Sequence, residues 1–147
     1  MIKNLSQQKL QEIVDFIKDN YEAPSYLIPE SVEELVSKHG NSEIFAMYDN
    51  HGIEALSFFK FLTPKLVEKY RTVVRLDLRG HGLSKQLDSH IENMLRNEGV
   101  KKIKSHIYVD NFPSLFGRLK RGYLIEGLLR NHDEPGMHEY ILGKELD

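Results

Sequence analysis

The stretch Val73-Val74-Arg75-Leu76-Asp77-Leu78-Arg79-Gly80-His81-Gly82-Leu83-Ser84 constrains the fold more than any other part of the chain. Its valines and leucines predict a strand. Gly80 and Gly82 predict a tight turn, because glycine enters the left-handed backbone region without a Cβ penalty. Leu83, Leu87, Ile91, Met94 and Leu95 then recur at helical spacing, and Gly99 closes that helix. A strand that turns through two glycines straight into a helix leaves backbone N–H groups aimed outward at the positive end of a helix dipole. A pyrophosphate is the natural guest of such a turn. Alone, a glycine-rich turn is weak evidence, so its surroundings carry the weight.

The chain has 147 residues, which predicts a single domain over 1–147. It has no cysteine, which excludes disulfides, thiolate zinc sites and a cysteine nucleophile. A formal net charge of −2 argues against a nucleic-acid binder working through a basic field. No apolar run approaches the ~20 residues a membrane span needs. Met1-Ile2-Lys3-Asn4-Leu5 lacks a signal-peptide core. A cytoplasmic protein with no membrane and no nucleic-acid partner is expected.

Ile2 to Leu5 predicts a short first strand. Ser6 predicts an N-cap for a helix with Leu10, Ile13, Val14 and Ile17 on its buried face, stopped by Asn20 and Pro24. Ser31 caps a second helix, with Glu34 completing a capping box and Gly40 ending it. Ile44 to Tyr48 and Ile53 to Leu62 read as a hairpin around Asp49-Asn50-His51-Gly52. Glu68 to Leu78 reads as the next strand, and Ile103, Ile107 and Val109 as another. Phe112 to Lys120 is a short helix, and Tyr123 to Leu129 with Met137 to Leu142 close the chain as strands. The fold class expected is α/β, a mixed sheet of six to seven strands flanked by about four helices.

With these pieces in place the chain resembles the GNAT superfamily, the Gcn5-related N-acetyltransferases. The signature of Arg or Gln, two residues, Gly, one residue, Gly or Ala stands here as Arg79, Gly82 and Ser84, with Ser a small departure. Asn111, Ser114 and Gly122-Tyr123 match a second feature, and the order of elements matches over nearly the whole chain. The resemblance implies acetyl-CoA or another acyl-CoA as donor. It implies that Thr72, Val73 and Val74 meet the pantetheine arm through backbone groups. Gly80, His81, Gly82, Leu83, Ser84 and Lys85 would cradle the pyrophosphate, and Asn111 and Ser114 would touch the far side of the arm. Each has a plainer reading as well. Val73 and Val74 suit any core strand, Lys85 suits solvent, and Asn111 suits the cap of the helix at Phe112.

Many relatives in this superfamily carry a tyrosine acid seven residues after the conserved Asn. Arg118 stands there, and a guanidinium with a pKa above ~12 does not donate a proton at neutral pH. For the base, the resemblance points to His106, five residues before Asn111, where ribosomal-protein N-acetyltransferases often place a Glu. It also points to Glu68, eleven residues before Arg79, as in histone-type members. An imidazole is suited to take a proton directly or through water. Glu68, Tyr70, Thr72 and Val74 would share one strand face. The histidines show no metal-ligand spacing on a single element, so no metal is expected.

By the same resemblance the acceptor enters near Tyr21 to Pro29 and Asn131 to Met137. Tyr21 and Tyr26 would form an aromatic wall, and Glu22, Glu30, Asp133 and Glu134 would attract a cationic amine. The function implied is transfer of an acetyl group to a primary amine of a small molecule or peptide. The alternative, motivated by Arg118, is a non-catalytic acyl-CoA-binding regulatory or interaction domain. A homodimer through the strand edge near Tyr123 to Leu129 is compatible with either.

Overall fold

The structure is a computed structural model that describes residues 1–21 and 28–147. Four helices, α1 (Gln7–Asn20), α2 (Val32–His39), α3 (Leu83–Asn97) and α4 (Phe112–Lys120), accompany six strands. The strands are β1 (Glu43–Asp49), β2 (Gly52–Thr63), β3 (Leu66–Val74), β4 (Lys102–Tyr108), β5 (Leu124–Leu129) and β6 (Glu139–Glu145). They form one mixed sheet in the order β1-β2-β3-β4-β6-β5. The expected α/β class is observed, and the expected order of elements holds from the first helix onward, with six strands and four helices among the described residues.

Packing divides the chain into two compact units, Met1–Lys60 with Arg71–Asn93, and Phe61–Tyr70 with Met94–Asp147. In the first unit, Ser6 caps α1 by accepting from the Lys9 N–H, and Ser31 caps α2 by accepting from the Glu34 N–H. The Glu34 carboxylate bonds the Glu30 N–H at 2.8 Å, one residue upstream of where a capping box would take it. β1 and β2 form the expected antiparallel hairpin, with Asp49 opposite Gly52 and an irregularity at Met47/Tyr48. Ile13, Val14 and Ile17 of α1, Leu35 of α2, Leu56 and Phe58 of β2, and Leu87 and Ile91 of α3 are buried here.

Two strand expectations fail in this unit. Ile2–Asn4 is a 3-10 turn, not a strand. Its N–H groups are used singly, Ile2 to the Ser42 carbonyl at 2.9 Å and Lys3 to the Gly40 carbonyl at 3.2 Å, while Leu5 N–H turns back to Ile2. Ile2 is nonetheless fully buried, which explains why its apolar character looked strand-like. The strand expected to run on to Leu78 ends at Val74, and Leu76–Leu78 is a 3-10 turn. The cause is local capture of the backbone. The Arg75 N–H bonds Glu54 O, the Leu76 N–H bonds Asn20 Oδ1, and the Leu78 N–H bonds Arg75 O.

In the second unit, β3 and β4 run parallel, with Leu66, Val67 and Glu68 opposite Lys102, Ile103 and Lys104. β4 and β6 run antiparallel from Lys102↔Glu145 to Tyr108↔Glu139. Ile103, Ser105 and Ile107 of β4 are buried, so Lys104, His106 and Tyr108 face the other way. β5 is an edge strand with Leu124, Ile125 and Leu128 exposed. No described helix is long and apolar enough to cross a membrane.

Candidate functional site

In the first unit the glycine turn is built as expected. Gly80 and Gly82 both hold φ near +81°, and open space lies where a Cβ would stand. α3 starts at Leu83, and the Gly82 carbonyl accepts from the Lys85 N–H at 3.0 Å and the Gln86 N–H at 3.1 Å. The first N–H groups of a helix have no carbonyl of their own helix to bond, so a turn feeding directly into α3 is suited to an anion. His81, Gly82 and Lys85 are exposed, and Leu83 and Ser84 are half-buried.

The signature Arg79 does something the sequence did not suggest. Its guanidinium donates to the backbone carbonyl of Asn20, at the end of α1, and its Nε to Val74 O at 3.4 Å. Asn20 is itself buried, giving Nδ2–H to Phe16 O at 2.9 Å and accepting from Leu76 N–H at 3.0 Å. The turn is thereby tied to the end of α1. On β3, Val73 is buried and Thr72 and Val74 are half-buried, as the alternation predicted, with Thr72 Oγ1 3.2 Å from Ser57 Oγ. Less expected, Arg71 is buried on the same strand face as Val73, and Asp88 and Glu92 of α3 are buried too.

The second unit brings together both residues named as candidate bases. Because Glu68 opposes Lys104 and Tyr108 opposes Glu139, the side chains of Glu68, His106 and Glu139 share one sheet face. His106 Nδ1 lies 3.1 Å from Glu139 Oε2, and Nε2 lies 3.3 Å from Glu68 Oε1. The first contact is a hydrogen bond. The second has ion-pair distance without hydrogen-bond geometry, and Nε2 is shielded from solvent. Glu68 also lies 3.5 Å from Lys104 Nζ. Side-chain exposure falls from 26% at Glu68 through 19% at His106 to 10% at Glu139, so Glu68 is the outermost member. In the tautomer that gives Nδ1–H to Glu139, the Nε2 lone pair lies on the Glu68 side of the ring.

Two members of this cluster were missed. Glu139 and His132 stand 33 and 26 positions from His106, outside its strand; the β4–β6 register reveals the first and the loop between β5 and β6 brings in the second. His132 has its ring centroid 5.9 Å from that of His106. It sits on the loop between β5 and β6, which is pinned by Tyr108 Oη–H donating to Asp133 Oδ2 at 2.6 Å. Scanning single elements for ligand spacing does not find such a group.

Asn111 caps α4, its Oδ1 accepting from the Ser114 N–H at 3.3 Å, so the plainer of its two readings holds at this atom. Arg118 sits with its guanidinium carbon 5.1 Å from the centre of the Tyr123 ring, and Tyr123 is buried. Stacking of this kind contributes about 0.5–2 kcal/mol and gives the cation a packing role. Tyr21 is half-buried, with the Arg71 guanidinium 5.2 Å from its ring centre. Tyr26 and Glu22 lie outside the described residues.

His39 of α2 packs on Phe58 with ring centroids 5.7 Å apart. Burial, then the Arg71 and Lys38 charges, push its pKa down from 6.5 to about 4, against a smaller opposing pull from Glu34. The folded state therefore binds fewer protons than the unfolded state between these values. Stability contributed by neutral His39 is complete above pH 6.5 and is lost as pH falls toward 4, at up to about 1.4 kcal/mol per unit. Thermal melts at steps across that window should show a falling midpoint for the native chain and a flatter profile for His39→Gln. Parallel profiles would refute this.

No family model matches the chain, and no curated protein matches it in sequence. Solved structures match it in fold. The ribosomal-protein-S18-alanine N-acetyltransferase from Escherichia coli gives a TM-score of 0.80 at 16% identity, over 97% of this chain and 91% of that one. An aminoglycoside 6'-N-acetyltransferase complexed with coenzyme A gives 0.79 at 14% identity, over 97% and 93%. A GNAT family acetyltransferase from Elizabethkingia anophelis with acetyl-CoA bound gives 0.71 at 18% identity, over 86% and 93%. The mixed sheet with its helices is thus an α/β architecture shared with these solved structures. More closely, it is the GNAT fold, as the resemblance of the signature residues led one to expect.

Proposed function

We propose that the protein is an acetyl-CoA-dependent N-acetyltransferase acting on a primary amine. The observation that carries this reading is the pair of positive-φ glycines that open α3 at the signature position, with nothing where their Cβ atoms would stand. Such a turn fits a pyrophosphate, held by backbone N–H groups of the turn ahead of Lys85, with the Lys85 ammonium adding charge. The donor supplies an activated thioester. Thr72, Val73 and Val74 would meet its pantetheine arm along β3.

The chain's remaining task is to make the amine nucleophilic. An ammonium must lose one proton before attack, and a second leaves as the amide forms. Glu68, outermost in its cluster, draws the ammonium by charge. His106 Nε2, 3.3 Å behind it and shielded from solvent, would take the proton by way of that carboxylate, with Nδ1–H donated to Glu139 to hold the ring. The arrangement is a carboxylate-backed imidazole, in which the buried partner orients the ring and steadies the imidazolium. The thiolate of CoA, a much better leaving group than an amine, departs and takes a proton from solvent. Acidic Asp133 and Glu134, on the loop that carries His132, favour a cationic small-molecule or peptide amine as acceptor.

A second reading, an acyl-CoA-binding regulatory module without turnover, is favoured by one observation. Arg118, where a tyrosine acid is expected, is engaged with the Tyr123 ring. Calorimetric titration with acetyl-CoA, with CoA in parallel, tests the donor site common to both readings. Micromolar affinity is expected for each ligand, and absence of heat at millimolar ligand would refute both. Release of CoA thiol on addition of a panel of primary amines then separates them.

A further inference from the structure

We propose that His106, His132 and Glu139 form a binding site for a first-row divalent cation, zinc foremost. One ligand atom from each lies within 4.8 Å of those from the other two. The spacing of His106 Nδ1 and Glu139 Oε2, 3.1 Å, is near that of two ligands on one tetrahedral zinc. Zinc bonds of about 2.0–2.1 Å set that spacing at about 3.3 Å. His132 needs to approach by at most about 1.5 Å to complete such a site, a movement open to an exposed side chain.

The loop that presents His132 is built, not loose. The Tyr108 hydroxyl bonds Asp133, the Asn131 N–H bonds His138 Nδ1 at 3.1 Å, and the Gly136 N–H bonds Asn131 Oδ1 at 2.7 Å. The His132 N–H bonds the Met137 carbonyl at 3.2 Å. Two imidazoles and one carboxylate suit zinc over calcium or magnesium, which take mostly oxygen ligands. Three protein ligands leave a fourth position for water. Glu68, beside Nε2 of the same ring, lies outside the three and can hold the ring's second nitrogen, the kind of outer contact that raises ligand strength.

The consequence rests on the proposed catalytic role of His106. A ring bound to a cation does not accept a proton, so zinc would switch the acyl-transfer site off. Binding itself is independent of that role and is measured without donor or acceptor. Chelator-treated full-length protein is titrated with zinc against a chromogenic competitor, with His132→Ala and Glu139→Gln alongside. One zinc per chain at micromolar Kd or tighter is expected, with a raised melting midpoint, since a ligand of the folded state stabilises it. The affinity should fall at least tenfold in each variant. His132 is exposed, so His132→Ala serves should Glu139→Gln fold poorly. No zinc bound by the native chain, or equal affinity in His132→Ala, overturns the site. Stoichiometric binding without slowing of acetyl transfer overturns the switch and leaves the site.

Discussion

Acetyl transfer by the His106→Gln variant is expected to run about a hundredfold or more slower than by the native chain, within the 10²–10⁴ range for a general base. Glutamine is the informative replacement. Its amide can still donate toward Glu139 Oε2, so the buried carboxylate keeps a partner, whereas alanine would strand it at a cost of about 1–3 kcal/mol. What glutamine lacks is a lone pair able to take the amine proton. The loss should therefore appear in kcat, with the KM for acetyl-CoA and the melting midpoint close to native. A steady-state series at saturating donor measures both. A kcat within threefold of native would remove His106 from the mechanism, and a matching fall in stability would mark it as a structural histidine. Glu68→Gln should lower kcat and also raise the KM for a cationic amine, since its charge sits at the outer edge of the cluster.

Gly82→Val is expected to weaken acetyl-CoA at least tenfold. A valine at φ near +81° is strained by about 1–2 kcal/mol or more, and the turn can relieve that strain only by rotating the N–H groups that face the anion. The open space around the missing Cβ means that no core contact is lost, so the variant should fold. Gly99 supplies the control. It holds φ near +82°, equally free of neighbours, at the end of α3. Gly99→Val should lose similar stability and keep donor affinity. Equal affinity losses in the two variants, by calorimetry, would mean that the glycine turn holds no anion.

Much of this fold was legible because its signals are local. Ser6 and Ser31 cap where a hydroxyl before an amphipathic run should cap, and α4 occupies Phe112–Lys120 as read. The failures share a different origin. Residues 2–4 and 75–78 depart from strand because backbone partners remote in the chain, Gly40 and Ser42 for the first and Glu54 and Asn20 for the second, capture their N–H groups. At the site, Glu68 and His106 could be named singly from their distance to Arg79 and Asn111, but nothing local says that they meet. The parallel register of β3 on β4 does that, and the β4–β6 register adds Glu139. Arg118 looked like a vacancy in the chemistry until Tyr123, five residues on, proved to lie against it.

The tether between Arg79 and the end of α1 bears on how loss-of-function variants of this chain should be interpreted. Asn20 closes α1 and is not part of the glycine turn, yet its carbonyl holds the Arg79 guanidinium and its side chain holds Leu76. A genetic screen for weakened donor use would therefore return position 20, in a helix 60 residues upstream of Gly80, alongside the turn itself. Such a variant would be mistaken for a long-range effect, when the connection is two hydrogen bonds long.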